Sequence, residues 1–311
     1  MTQTTSTPVR LRARDGFVLA ARHFTPTTTT PPARPAGAVV IASATGVKAT
    51  YYRRYAEFLA SHGFHAVTFD YRGVGESREP FAVARRARWA DWGALDADAV
   101  LGWARTRLPG PLLTVGHSYG GFGIGLADEA RHVARHVAVG GQHAHWRDYR
   151  ARPGRARMWA RWHAAMPAIT LARGHFPGRR LGWLEDLPRG VALDWARSRR
   201  DFTASARTAA GRDELRRRLA AFTADALIVA PVDDDFGTDA ALDRVDAYSP
   251  DRVRYFDEVM TFRPAHSLAA HQPLGSVMRA RLQVYRALSD FRHRENGVAA
   301  ADSAGIDRIP A

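Results

Sequence analysis

The hydrophobic positions of this chain follow two rhythms. Residues 9–14 and 18–24 alternate between apolar and polar around Asp15-Gly16, which predicts two antiparallel strands joined by a tight turn. From residue 38 the alternation stops. Short apolar runs take its place: AVVIA at 38–42, HAVTFD at 65–70, PLLTVGH at 111–117 and HVAVG at 136–140. Runs of that kind read as strands covered on both faces. ADALIVAPVDDD at 224–235 and RVRYFDEV at 252–259 extend the series. Helical periodicities lie between them, at 51–61, 92–108, 119–131, 239–247 and 276–291. In the second of these Leu95, Ala99, Trp103 and Ala104 share one face. Strands alternating with helices predict an α/β fold: a mostly parallel sheet flanked by helices, with the hairpin at one edge.

Three stretches depart from the rhythm. TPTTTTPPARPAG at 25–37 is low in complexity and rich in proline, and reads as an exposed loop. Residues 142–222 are helical in pattern but broken by Pro153, Pro167, Pro177 and Pro188. They are expected to form a helical cap inserted over the carboxyl ends of the strands. The core is then 1–141 together with 223–292. The tail at 293–311 has too few apolar residues to pack and is expected to be disordered.

Composition narrows the chemistry. The 311 residues contain no cysteine, which removes disulfides, thiol nucleophiles and thiolate metal sites. No apolar run approaches the roughly eighteen residues of a transmembrane helix, and no basic-then-apolar leader opens the chain, so a cytoplasmic protein without a membrane span is expected. The net charge of +14 comes almost wholly from arginine, with Lys48 the only lysine. Those arginines are spread through every segment. Nucleic-acid binding needs them on one face, so no nucleic-acid partner is expected.

One short stretch carries chemistry. In GHSYGG, Ser118 stands between Gly116 and Gly120, after a predicted strand and before a predicted helix. G-x-S-x-G in that setting is a nucleophile elbow. The turn strains the serine backbone, and its neighbours must be small to let strand and helix approach. The hydroxyl is thereby raised above the sheet edge. The amide of Tyr119, at the helix start, is placed to stabilise an oxyanion. A serine needs a base, and the loop TFRPAHSLAAHQPLGS offers His266 and His271. Pro273 suits a first helical turn, which sets His271 just before a helix. Carboxylates stand at Asp233, Asp234 and Asp235, at the end of the predicted strand 224–235.

Together with ASATGVKATYYRRYAEFLASHGFHAVTFDYRGVGES, FPGRRLG, DLPRGVALDWARS and VDDDFGTDAAL, these features make the chain resemble the α/β-hydrolase superfamily from about Asp15 to Phe291. Within it the likeness is to bacterial serine-hydrolase-like proteins with a helical cap. The resemblance implies a catalytic triad of Ser118, Asp234 and His271, with no metal and no cofactor. It places a second oxyanion donor in ATGV at 44–47, where Gly46 permits close approach and Val47 offers its N–H. Thr45 stands where the wider superfamily commonly has histidine. The implied reaction is hydrolysis of a carboxylic ester through an acyl-enzyme. Acyl transfer would use the same residues, and a non-catalytic binding protein of the same fold is the remaining alternative.

The insertion bears on substrate. Trp146, Trp159 and Trp162 are candidates for substrate contact, with Trp183 and Trp195 as further aromatic area. Arg147, Arg150, Arg152, Arg155, Arg157 and Arg161 form a basic stretch among them. That charge favours a small acyl substrate bearing negative charge. His143 and His145 have a spacing seen in metal sites, but no carboxylate or cysteine nearby completes a ligand set.

Overall fold

The computed structural model describes residues 5–27, 36–78, 84–150, 155–229, 234–246 and 248. Strands β1 (Ser6–Arg12) and β2 (Val18–Phe24) pair antiparallel across the Asp15-Gly16 turn, where Gly16 takes φ +88°. β2 then pairs antiparallel with β4 (His65–Phe69). From β4 inward every pairing is parallel, through β3 (Ala38–Ala42), β5 (Leu112–His117), β6 (Val133–Val139) and β7 (Asp225–Val229). The order in this seven-stranded sheet is β1-β2-β4-β3-β5-β6-β7. All five residues of β3 are buried, as a strand covered on both faces requires.

The strand order fixes where a ligand can bind. The chain leaves β3 toward β4 on one side and leaves β5 toward β6 on the other. The crevice at such a reversal, outside the carboxyl ends of the strands, is where open α/β sheets hold their ligands. Ala42 pairs with Gly116, so β3 and β5 end side by side there.

Helix α1 (Arg53–Ser61) follows β3 and buries Tyr55, Ala56, Leu59 and Ala60. The helix before β5 is longer than its pattern suggests. It begins with Trp89–Asp91, passes through a π-helical stretch at Trp92–Ala97 and continues as α2 (Asp98–Arg107). Ala104 is buried, and Leu95, Ala99 and Trp103 pack against the core. The helix expected over 119–131 is broken. Only α3 (Tyr119–Gly123) is α-helical, and tight turns at Ile124–Leu126 and Asp128–His132 complete the path to β6. α3 carries glycine at 120, 121 and 123, and the Tyr119 ring fills the space a side chain at 123 would need. Glycine weakens the helix, and tertiary packing decides its length.

Between β6 and β7 the described residues form helices joined by loops, with a single β-bridge of Phe176 to Leu187 among them, and α4 (Met166–Arg173), α5 (Arg189–Ala196) and α6 (Ala209–Ala221) are the longest α-helical pieces. They belong to the same compact unit as the sheet. Arg88 pairs with Asp194, which also accepts from the Trp89 amide at 3.0 Å. The Trp89 and Trp195 rings stack at 6.2 Å, and the Glu185 amide donates to Gly46 O at 3.0 Å. The strand and helix expected at 252–259 and 276–291, most of the 25–37 loop and the tail lie outside the described residues. α7 (Asp239–Asp246) follows β7 as expected.

A buried ion network braces the loop after β4. The Arg72 guanidinium donates from Nε to Asp96 Oδ1 at 2.7 Å and also pairs with Asp15. Asp70 accepts the amides of Ala49 (2.7 Å) and Glu76 (2.9 Å), and Ser77 Oγ accepts that of Ala20 at 2.8 Å. The side chains of Asp70, Arg72 and Ser77 in DYRGVGES are therefore occupied in holding the loop. Among the described residues, no helix is long and apolar enough to cross a membrane.

Candidate active site

Ser118 follows β5 directly and takes φ 52°, ψ −117°, a backbone conformation that side chains rarely tolerate. Packing enforces it. A Cβ on Gly116 would lie 2.2 Å from Gly120 O, and one on Gly120 would lie 2.3 Å from Ala42 O. Only hydrogen fits at either position. The strand and helix therefore close on one another, and the serine between them absorbs the reversal. Ser118 N–H donates to Val139 O at 2.9 Å, and Ser118 O accepts from Gly121 N–H at 3.0 Å.

The first turn of α3 is clamped from below. The Tyr119 ring is wholly buried and stacks on Trp89 at 4.9 Å, while its hydroxyl donates to Trp89 O at 2.6 Å. Burial raises this phenol well above its usual value, so it stays neutral. The Tyr119 N–H opens the helix, where backbone donors have no intrahelical acceptor.

The loop after β3 closes the other side. Gly46 takes φ +71°, and the Leu184 side chain occupies the space beside it. Val47 N–H is engaged here, donating to Ala44 O at 3.2 Å to close the turn. Thr45 Oγ1 accepts from Trp89 Nε1 at 3.1 Å. The Tyr52 hydroxyl bridges Ala44 N–H (3.0 Å) and His117 Nδ1 (2.9 Å). Burial lowers the His117 imidazole, and the charge of Asp234 pulls it the other way. His117 thus braces the two loops through Tyr52.

Of the three candidate acids, Asp234 and Asp235 are described and Asp233 is not. Asp234 Oδ1 accepts the Phe236 amide at 2.8 Å. Its Oδ2 rests against backbone: a Cβ on Gly237 would lie 2.8 Å away and one on Gly140 3.2 Å away. Gly140 directly follows Val139, the residue that holds the Ser118 amide. Asp235 is turned toward Arg150, whose Nε is 3.7 Å from Oδ1. His266 and His271 lie outside the described residues.

The tryptophans divide. Trp162 is buried, stacked on Trp195 at 4.9 Å and edge-on to Trp183 at 5.5 Å. Trp195 continues the stack onto Trp89 and hence Tyr119. Trp146 packs beneath the guanidinium groups of Arg147 and Arg155, and Trp159 is 43% exposed. Arg161 lies over Trp183 at 4.1 Å and Trp162 at 5.0 Å. The imidazoles of His143 and His145 both turn to Ser198.

Sequence reasoning passed over one residue at the site. Gln142, on the loop after β6, donates from Nε2 to Ser118 Oγ at 3.2 Å. A polar side chain directly after Gly140-Gly141, beyond the strand that neighbours β5, was the available signal.

The comparisons agree with this architecture. A model of the alpha/beta hydrolase family matches residues 38–290, and the chain belongs to that family. No curated protein matches it in sequence. Among solved structures, DcsB in complex with its substrate analogue is similar over 92% of this chain and 99% of its own, at 14% identity and a TM-score of 0.58. The α/β hydrolase GrgF from Penicillium sp. sh18 is similar over 93% and 98%, at 14% identity and a TM-score of 0.56. An esterase from Exiguobacterium antarcticum is similar over 91% and 100%, again at 14% identity and 0.56. At that identity the likeness is one of fold.

Proposed function

We propose that this protein is a serine hydrolase that cleaves a carboxylic ester through an acyl-enzyme. The observation that carries the reading is Ser118 at φ 52° between two glycines that leave no room for a Cβ. A fold keeps such strain where the strained residue has work to do. The Ser118 hydroxyl attacks the substrate carbonyl, and the base, proposed as His271, takes its proton and returns it to the leaving group. Asp234 is the proposed acid, because its Oδ2 faces the end of β6 beside the elbow whereas Asp235 is turned to Arg150. The amide of Tyr119 is the first oxyanion donor. Val47 serves as the second by exchanging its 3.2 Å bond to Ala44 O for the developing oxyanion.

The helices at 142–222 are proposed as a cap, supported by the contacts of Leu184 and Glu185 on Gly46 and of Trp195 on Trp89. The substrate is a small acyl compound reached past that aromatic and arginine-rich segment. The test is labelling by a fluorophosphonate probe, followed by a series of p-nitrophenyl esters of graded chain length. Labelling that disappears in Ser118→Ala, with turnover of at least one ester, is the expected result. A wild-type protein that neither labels nor turns over any ester is a binding protein on this fold.

A further inference from the structure

We infer that Gln142 is a catalytic residue that supports Ser118 Oγ as the departing oxygen when the acyl-enzyme breaks down. The inference rests on Ser118 being the nucleophile. Gln142 is only 8% exposed and grips Ser118 twice. Its backbone N–H donates to Ser118 O at 3.3 Å, and its side-chain Nε2 donates to Ser118 Oγ at 3.2 Å. The orientation of the amide follows from its other end. Oε1 accepts the backbone N–H of Ala144, a group that can only donate, so Nε2 must be the end that faces the serine. Ala144 is buried and takes φ 58°, which a residue with a Cβ adopts at a cost. That left-handed turn brings the Ala144 amide back onto the Gln142 side chain.

The chemistry of this contact is directional. During attack Oγ loses a proton to the base and forms a bond to the acyl carbon. During deacylation water adds to the acyl carbon while the base takes its proton. The tetrahedral adduct then collapses: the C–Oγ bond breaks, its electron pair moves to Oγ, and the base returns the proton there. A donor fixed on Oγ strengthens as that oxygen gains negative charge, so it assists the step in which Oγ leaves.

Gln142→Glu isolates the donor. The carboxylate still accepts from Ala144 N–H but has no N–H for Ser118. In stopped-flow hydrolysis of p-nitrophenyl acetate, the variant is expected to release about one p-nitrophenol per enzyme in a burst. Steady-state turnover then slows about tenfold to a hundredfold, the range for a hydrogen bond to a charged oxygen. The ratio of variant to wild-type turnover should rise as pH falls, because a protonated Glu can donate again. Gln142→Met, of similar length and without a polar group, should show the same burst with a ratio that does not change with pH. It also serves where Gln142→Glu does not fold, as judged by thermal melting. Turnover within twofold of wild type in a folded variant, or equal slowing of burst and steady state, overturns the inference. A wild-type protein that is not labelled at Ser118 by a fluorophosphonate removes the reading beneath it as well.

Discussion

The Tyr119 hydroxyl donates to the carbonyl of Trp89 at 2.6 Å, and the two rings stack 4.9 Å apart. The residue next to Ser118 is thus tied to the start of the helix that precedes β5. Tyr119→Phe keeps the stack and the backbone amide and leaves the buried Trp89 carbonyl with the Trp92 N–H as its donor. Stability should fall by about 0.5–1.5 kcal/mol, the net worth of one hydrogen bond. Turnover of an ester should change far less. Urea denaturation alongside p-nitrophenyl ester kinetics checks both, and a large loss of kcat with unchanged stability would mean the phenol itself takes part.

Ser118→Ala is expected to abolish esterase activity and fluorophosphonate labelling. Ser118→Gly should do the same and also raise the melting temperature, because glycine adopts φ 52° without strain that costs about 1–3 kcal/mol elsewhere. Among the candidate bases, His271→Ala should cost about a thousandfold or more, since the members of the proposed triad would act as a unit, while His266→Ala stays mild. The opposite ranking would transfer the role to His266.

The glycines of the elbow and those of the surface helices should part company. Gly116→Ala would set a Cβ 2.2 Å from Gly120 O, a backbone atom that cannot yield, and soluble folded protein is not expected. Gly102, within α2, would bring its Cβ no closer than 3.5 Å to the side chain of Glu129. Gly102→Ala should stabilise by about 0.5–1 kcal/mol through helix propensity. Thermal melts of the two variants decide.

Acid should unfold the protein through its buried histidines. His143 is 2% exposed among Phe122, Phe202 and Tyr248, and burial lowers its imidazole to about 4 from an ordinary value of 6.5. His23 and His65, bonded ring to ring at 2.9 Å, are lowered as well. A histidine with a depressed folded-state value binds protons more readily when unfolded. Its stabilising effect is complete above pH 6.5 and is lost as pH falls toward 4. For His143 that loss amounts to about 3 kcal/mol, at 1.36 kcal/mol for each unit. His143→Gln should flatten the dependence measured by urea denaturation at pH 7 and near pH 4.5; an unchanged slope would remove His143 as its source.

Arg161 sits over two tryptophans, and its Nε has no hydrogen-bond partner among the described residues. Burial and the neighbouring charge of Arg157 lower its affinity for a proton. An anionic substrate would relieve both. The expected outcome is that kcat/KM for a carboxylate-bearing ester falls with added salt and in Arg157→Ala/Arg161→Ala, while a neutral ester of similar size is unaffected. Equal responses from both esters would make the arginines a solvated face.

How much could be read beforehand depended on the range of the forces involved. The strands at 38–42, 65–69 and 112–117 were legible because burial on both faces writes a continuous apolar run. The elbow was legible because close backbone approach demands glycine at fixed offsets from Ser118. The breakdown of the helix after Gly123 was not, since apolar periodicity continues through residues whose turn is set by packing on α6 and the π-helical stretch. The contact of Gln142 was marked in the sequence only by a polar residue after Gly140-Gly141: its bond to Ser118 depends on a left-handed turn at Ala144, a residue with no special preference for it. The pairing of Arg88 and Trp89 with Asp194 and Trp195 joins positions 106 apart in sequence, which no local pattern records.

That last pairing bears on protein engineering. The helices between β6 and β7 invite exchange as a module, because in sequence they lie between two strands of the sheet. Here the module has its socket written into the scaffold: the Arg88 side chain and Trp89 amide both fasten on Asp194, and the Trp89 indole lies between Tyr119 and Trp195. A graft that moves 142–222 alone leaves a guanidinium facing nothing and an indole stack cut in half. The unit of recombination is therefore the insertion together with the segment around 88–89.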